Sequence, residues 1–138
     1  MKRTARCVAV LALALAAVAC GGYGTGTTPT PSSARLSSTA VLRIVSPTPG
    51  QVVPTTGVIV TISLEGARIV PAGSTNLKPD EGHVHLKVDG RVITLTGTLE
   101  VPTGPLTKGP HLLEIEFAAS DHGPFNPRVI QQVTVTAE

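Results

Sequence analysis

At 138 residues, with eleven Lys and Arg against nine Asp and Glu, the chain has the length of one ordinary domain and lacks the basic surplus that nucleic acid binding needs. Its two cysteines, absent tryptophan and single tyrosine exclude a scaffold stapled by several disulfides and offer no aromatic platform for carbohydrate.

The chain opens with a basic head, Lys2, Arg3 and Arg6, followed by an unbroken apolar run from Val8 to Ala19 and then Ala17-Val18-Ala19-Cys20-Gly21-Gly22. A charged head, a short apolar stretch and small residues before a cut are the parts of an export signal. At about a dozen residues the run is too short to cross a bilayer, which takes about twenty. A cysteine directly after the cut makes residues 1–19 a lipoprotein signal peptide, with Ala17 where Leu is commoner. Cys20 then becomes the lipidated N-terminus, and two or more acyl chains on it would hold the protein stably at a membrane. Ordinary secretion with cleavage nearby is the alternative. The expected address is the cell envelope, lipid-anchored and exposed to the periplasm or the cell exterior, with the membrane as partner and an envelope protein as a second candidate partner.

Loss of the signal removes Cys7 together with Lys2, Arg3 and Arg6, leaving eight Lys and Arg against nine Asp and Glu, a formal net charge of −1. With Cys20 alkylated, no thiol remains for a disulfide, and the domain must be held by its core. Residues 20–40 are Gly, Thr, Ser and Pro with little apolar content, which reads as a flexible tether. Residues 41–138 then form one domain, in the size range where a single core suffices.

Within that domain no segment shows a helical period, and several alternate with period two. Strands are predicted at Val41–Ser46, which ends at Pro47-Thr48-Pro49-Gly50, and at Val58–Glu65, where Val58, Val60, Ile62 and Leu64 share a face. A longer connection with Pro71 and Pro79 follows, carrying a short strand near Ile69. His83–Asp89 and Arg91–Leu95 flank Asp89-Gly90, a two-residue hairpin signal. Thr98–Val101 is short. His111–Ala118 carries Leu113, Ile115 and Phe117 in phase, and Arg128–Thr136 carries Val129, Val133 and Val135 in phase. About seven short strands in about a hundred residues predict an all-β, immunoglobulin-like antiparallel sandwich, here without the Cys and Trp hallmarks of antibody domains.

Four histidines stand beside turns: His83, His85, His111 and His122. Alternation puts Val84, Leu86 and Val88 on one face of their strand and His83, His85, Lys87 and Asp89 on the other, with the two histidines about 7 Å apart. The aliphatic face is the expected core face, so both imidazoles are expected to face water. In an immunoglobulin-like order the His83 and His111 strands are antiparallel neighbours. That brings Asp121 and His122 toward His83 and His85, and leaves His111 at the opposite end near Asp89-Gly90. Imidazoles at i and i+2, with a third imidazole and a carboxylate from a loop, are a ligand set suited to Cu(II) or Zn(II), since no thiolate or thioether is left for a softer ion. The other reading is that these histidines hydrogen-bond neighbouring backbone and fix loops that lack other staples.

The motifs Gly82-His83-Val84-His85-Leu86-Lys87-Val88-Asp89, Lys108-Gly109-Pro110-His111-Leu112-Leu113 and Ala119-Ser120-Asp121-His122-Gly123-Pro124 resemble those of a family of exported bacterial domains of unknown function. Those domains carry Gly-His-x-His-Leu-x-x-Asp, then Pro-Gly-x-His-x-Leu, then Ala-Asp-x-x-His-x-Pro. Here the second motif has Gly109-Pro110 in reversed order and the third has Asp directly before His. The resemblance runs from about Ser46 to the end and implies a β-sandwich on the cell exterior, with no established activity. More narrowly, His83-Val84-His85 looks like the copper-binding strand of copper–zinc superoxide dismutases. The zinc loop, the disulfide pair and the arginine-bearing Gly-rich loop of those enzymes have no counterpart, so dismutase activity is rejected.

The chain also lacks a Gly-x-Ser-x-Gly elbow, a phosphate loop and a His-Glu-x-x-His helix. Ser120, Asp121 and His122 are adjacent, so their side chains point apart and cannot form a relay. Glu114 and Glu116 share a strand face, which reads as solvated. The expected function is that of a non-enzymatic envelope binding or structural module, with the Cu(II)/Zn(II) site as the alternative.

Overall fold

The computed structural model describes residues 34–71 and 73–138. The signal, Cys20 and the first part of the tether lie outside the described residues.

Nine strands occur among the described residues: β1 (Val41–Ser46), β2 (Val52–Val53), β3 (Ile59–Glu65), β4 (Arg68–Ile69), β5 (Glu81–Val88), β6 (Arg91–Thr96), β7 (Glu100–Pro102), β8 (Gly109–Ala119) and β9 (Val129–Ala137). They form two sheets. One has the order β1-β3-β7; the other runs β2-β9-β8-β5, with β4 and β6 both paired to the far edge of β5. The first, third and seventh strands in one sheet, facing the G-F-C-C′ run of β9-β8-β5-β6, is the strand order of an immunoglobulin-like sandwich. Only the two-residue β2, parallel to β9, has no counterpart in the strands predicted from alternation. Two residues are too few to show a period.

The core follows the alternation. Val84, Leu86 and Val88 of β5, Leu113, Ile115 and Phe117 of β8, and Val133 and Val135 of β9 meet Leu42, Val60, Ile62 and Val101 of the other sheet. Each fully buried aliphatic or phenyl group contributes about 1.5–3 kcal/mol relative to exposure, which is how an almost entirely aliphatic interior holds the fold. The two phenylalanines stack on each other, Phe117 against Phe125, with centroids 5.6 Å apart.

The start of the domain differs from the compositional boundary at Val41. Residues 35–39, placed in the tether by their Ser and Thr content, lie against the sandwich. Thr39 donates through its amide to Pro79 and through its hydroxyl to the Gly66 carbonyl. The Leu36 carbonyl accepts from the amide of Asn126, and Arg35 reaches the loop after β8. Low hydrophobicity argues against burying a core but leaves these polar bonds available.

Candidate functional site

Gly82 is the second residue of β5 and pairs with Ala119 of β8. A Cβ there would lie 2.1 Å from the Ala118 carbonyl oxygen and 2.9 Å from the Phe117 ring. The glycine therefore permits the register in which His83 faces Ala118 and His85 faces Glu116 across the ladder. Beyond Gly82, alternation sends Val84, Leu86 and Val88 inward and His83 and His85 to the outer face.

That outer face is not open to water at this end, which corrects the expectation for both histidines. His83 is 2 % exposed and His85 8 %. The cover comes from the turn between β8 and β9 and from the chain leaving β4, neither of which strand periodicity reports. His83 bridges the two covers: Nδ1 lies 2.9 Å from the Val70 carbonyl oxygen and Nε2 3.1 Å from that of Ser120. Carbonyl oxygens only accept, so a neutral ring donates to one of them at a time.

His122 occupies the left-handed region (φ 62°) in a turn closed by its own amide donating to Ala119 and the Ala119 amide donating to Gly123. The turn lays the His122 ring on His83, centroids 4.6 Å apart and planes at 21°, and beside His85, at 5.9 Å and 22°. Three of the four histidines thus meet. His85 Nε2 is buried with no hydrogen-bond partner among the described residues. Burial pushes the His85 imidazole below its ordinary value, opposed by the Glu116 carboxylate and reinforced by its neighbours His122, His83 and Lys87.

Asp121 does not join them, contrary to the expected ligand set. Its carboxylate takes a two-pronged ion pair from Arg35, Nη1 to Oδ2 at 2.6 Å and Nη2 to Oδ1 at 2.8 Å, and accepts the Gly123 amide at 3.0 Å. The Arg35 guanidinium holds this carboxyl far below the usual carboxylate range. Arg35 Nε also donates to the Pro124 carbonyl at 2.8 Å. Among the described residues no group of three or more His, Cys, Asp or Glu side chains is arranged to hold a metal ion. Stacked rings present faces to one another, whereas a shared ion needs converging nitrogens.

Beside the stack, where β4 and β6 both stop along the edge of β5, lies a pocket of about 290 Å³. Its walls are Ile69–Pro71, Leu95–Gly97 and the rings of His83 and His122. Thr96 is the hydroxyl among them, and it is engaged with Thr98.

His111 lies at the other end of β8, also buried, with Nδ1 2.7 Å from Asp89 Oδ2 and Nε2 2.7 Å from the Thr107 carbonyl. Asp89 Oδ1 accepts the Leu112 amide, so Asp89 closes the β5–β6 hairpin and also docks it on β8. The Thr107 carbonyl and the Asp89 carboxylate raise the His111 imidazole; His111 and the Leu112 amide lower Asp89.

Farther along the same outer face, Glu114 and Glu116 are not a solvated pair. Lys87 Nζ lies 2.7 Å from Glu114 and 3.1 Å from Glu116, and Arg128 donates twice to Glu116 at 2.9 and 2.6 Å. Glu116 is buried; burial opposes its ionisation, but Arg128 and Lys87 outweigh it and hold the carboxyl below its ordinary value. The residue that composition missed altogether is Arg35. Its signal was a cation beside Leu36 in an otherwise uncharged stretch.

No protein-family model matches the chain, and no curated protein matches it. Among solved structures it is similar to a fibronectin(III)-like module of CbhA from Clostridium thermocellum, at 13 % identity over 71 % of this chain and 97 % of that one, with a TM-score of 0.48. It is also similar to part of an engineered protein, at 17 % identity over 72 % of this chain and 20 % of that one, with a TM-score of 0.46.

Proposed function

We propose that this chain is a lipid-anchored cell-envelope protein whose immunoglobulin-like sandwich serves as a non-catalytic binding or structural module. The observation that carries the reading is the apolar run ending in Ala17-Val18-Ala19-Cys20, a short distance ahead of a single β domain. The side chains that mimic catalytic groups are engaged otherwise: Glu114 and Glu116 with Lys87 and Arg128, Asp121 with Arg35, and the Ser120 hydroxyl with the Asn76 carbonyl. Each carries out a bond within the fold, which favours a module over an enzyme.

The anchor is tested by expressing the full chain and a Cys20→Ser variant in a bacterium fed an alkyne-tagged fatty acid. Label and detergent-phase partition are expected in the parent and lost in Cys20→Ser. Equal label in both sinks the anchor.

The second reading is a histidine site for Cu(II) or Zn(II), favoured by buried His85, whose Nε2 has no hydrogen-bond partner among the described residues and whose ring stacks beside that of His122. Binding there requires the stack to rearrange so that nitrogens converge, and His83 to give up a carbonyl if it takes part. Calorimetric titration of the full chain with either ion should give micromolar or tighter binding that His85→Ala abolishes. Unchanged heats in His85→Ala and His122→Ala remove this reading.

A further inference from the structure

The turn that carries His122 is held together internally and held to the domain by something else. Inside it are the bonds from the His122 amide to Ala119, from the Ala119 amide to Gly123 and from the Gly123 amide to Asp121. Outward, Ser120 at the start of the turn is tied to His83 and Asn76, and Arg35 holds the rest, its guanidinium making three bonds: two to the Asp121 carboxylate and one to the Pro124 carbonyl. A two-pronged arginine–carboxylate pair fixes orientation as well as distance, which a single-point charge does not. Gly123 leaves the space for it, since a Cβ there would meet the guanidinium at 2.5 Å. The next residue of the arm, Leu36, accepts the Asn126 amide just past the turn, and Ser38 and Thr39 tie the arm to Pro79. The arm therefore acts as a strap, fastened to the turn through Arg35, just past it through Leu36, and to the segment before β5 through Ser38 and Thr39.

What the strap holds down is the His122 ring, which covers His83, flanks His85 and forms one wall of the pocket beside them. We infer that the N-terminal arm, through Arg35 and Asp121, latches the His122 turn shut over His85 and the adjoining pocket, so that release of the arm opens both. The arm is the part of the domain nearest Cys20 in the chain, so a pull on the N-terminus reaches this latch first. The device stands whether or not Cys20 carries lipid.

The test measures how fast diethyl pyrocarbonate modifies each imidazole in the full chain, resolved by tandem mass spectrometry. His111 lies at the far end of β8 and has no contact with the strap, so it serves as an internal reference. Arg35→Ala and Asp121→Asn should each raise the His85 rate about fivefold, the ratio expected for loss of a latch of modest strength. Arg35→Lys should fall between them and the parent, and His111 should stay at its parent rate throughout. An unchanged His85 rate in both latch variants overturns the inference. So does an equal rise at His111, which would report loosening of the whole domain.

Discussion

The ring of His122 lies on the ring of His83 with centroids 4.6 Å apart, although the two residues belong to different elements. The contact exists because β5 delivers His83 to an outer sheet face and a left-handed turn delivers His122 onto it. Because His83 also bridges the Val70 and Ser120 carbonyls, it ties together the two segments that cover the sheet. Replacing it with alanine is expected to lower stability by about 1–3 kcal/mol, the cost of leaving buried polar groups unmatched. Urea unfolding of His83→Ala checks this; a midpoint equal to the parent's would show that the bridge is idle.

Gly82→Ala tests the close approach of β5 and β8. The new methyl would meet the Ala118 carbonyl at 2.1 Å, a backbone atom that cannot swing aside. Overpacking of this kind costs about 1–3 kcal/mol, and more where backbone must shift. Thermal unfolding should place Gly82→Ala well below the parent, and Gly73→Ala, where a Cβ meets nothing within 4 Å, close to it.

Phe117 is fully buried and stacked on Phe125 in a core that is otherwise aliphatic. Phe117→Ala should lose about 3–5 kcal/mol, through lost burial plus the cavity left behind. Phe117→Leu, which keeps most of the volume, should lose clearly less. Denaturant titrations that rank the two equally would show that the cavity collapses.

Two histidines should move stability with pH in opposite directions. The His111 imidazole is raised in the fold, so its contribution is fully present below the ordinary value of 6.5 and is lost as pH rises through the raised value. Its partner Asp89 is lowered, so that contribution is present above the ordinary 3.8 and is lost as pH falls through the lowered value. Their pair is therefore worth most between about pH 4 and 6.5. His85 is lowered by burial, so its contribution is present above 6.5 and lost on acidification. Unfolding free energy measured from pH 4 to 9 should lose its alkaline decline in His111→Gln and part of its acid decline in His85→Gln. Parallel curves for parent and both variants would refute the assignment.

Lys87 is the shared cation of Glu114 and Glu116, and its removal leaves two carboxylates to Arg128 and Gln132. Lys87→Met keeps the aliphatic stem and should cost about 1–3 kcal/mol, since buried Glu116 loses a charged partner. Lys87→Met combined with Glu114→Gln should recover part of that loss, because the second carboxylate no longer repels the first. A double variant no more stable than Lys87→Met would show that the two carboxylates do not interact.

The residue pattern alone determined every strand but the two-residue β2, the two-faced character of β5 and β8 and the sandwich built from them. Side chains on an extended backbone alternate whatever surrounds them, so Val84, Leu86 and Val88 had to part from His83 and His85. Tertiary structure alone decided what lies over the histidine face and which partner Asp121 takes. A face reads as solvated until a distant segment is laid on it, and the cation that claims Asp121 stands eighty-six positions away in a stretch with no period to read. Local geometry sets direction; burial and pairing depend on where the rest of the chain is brought.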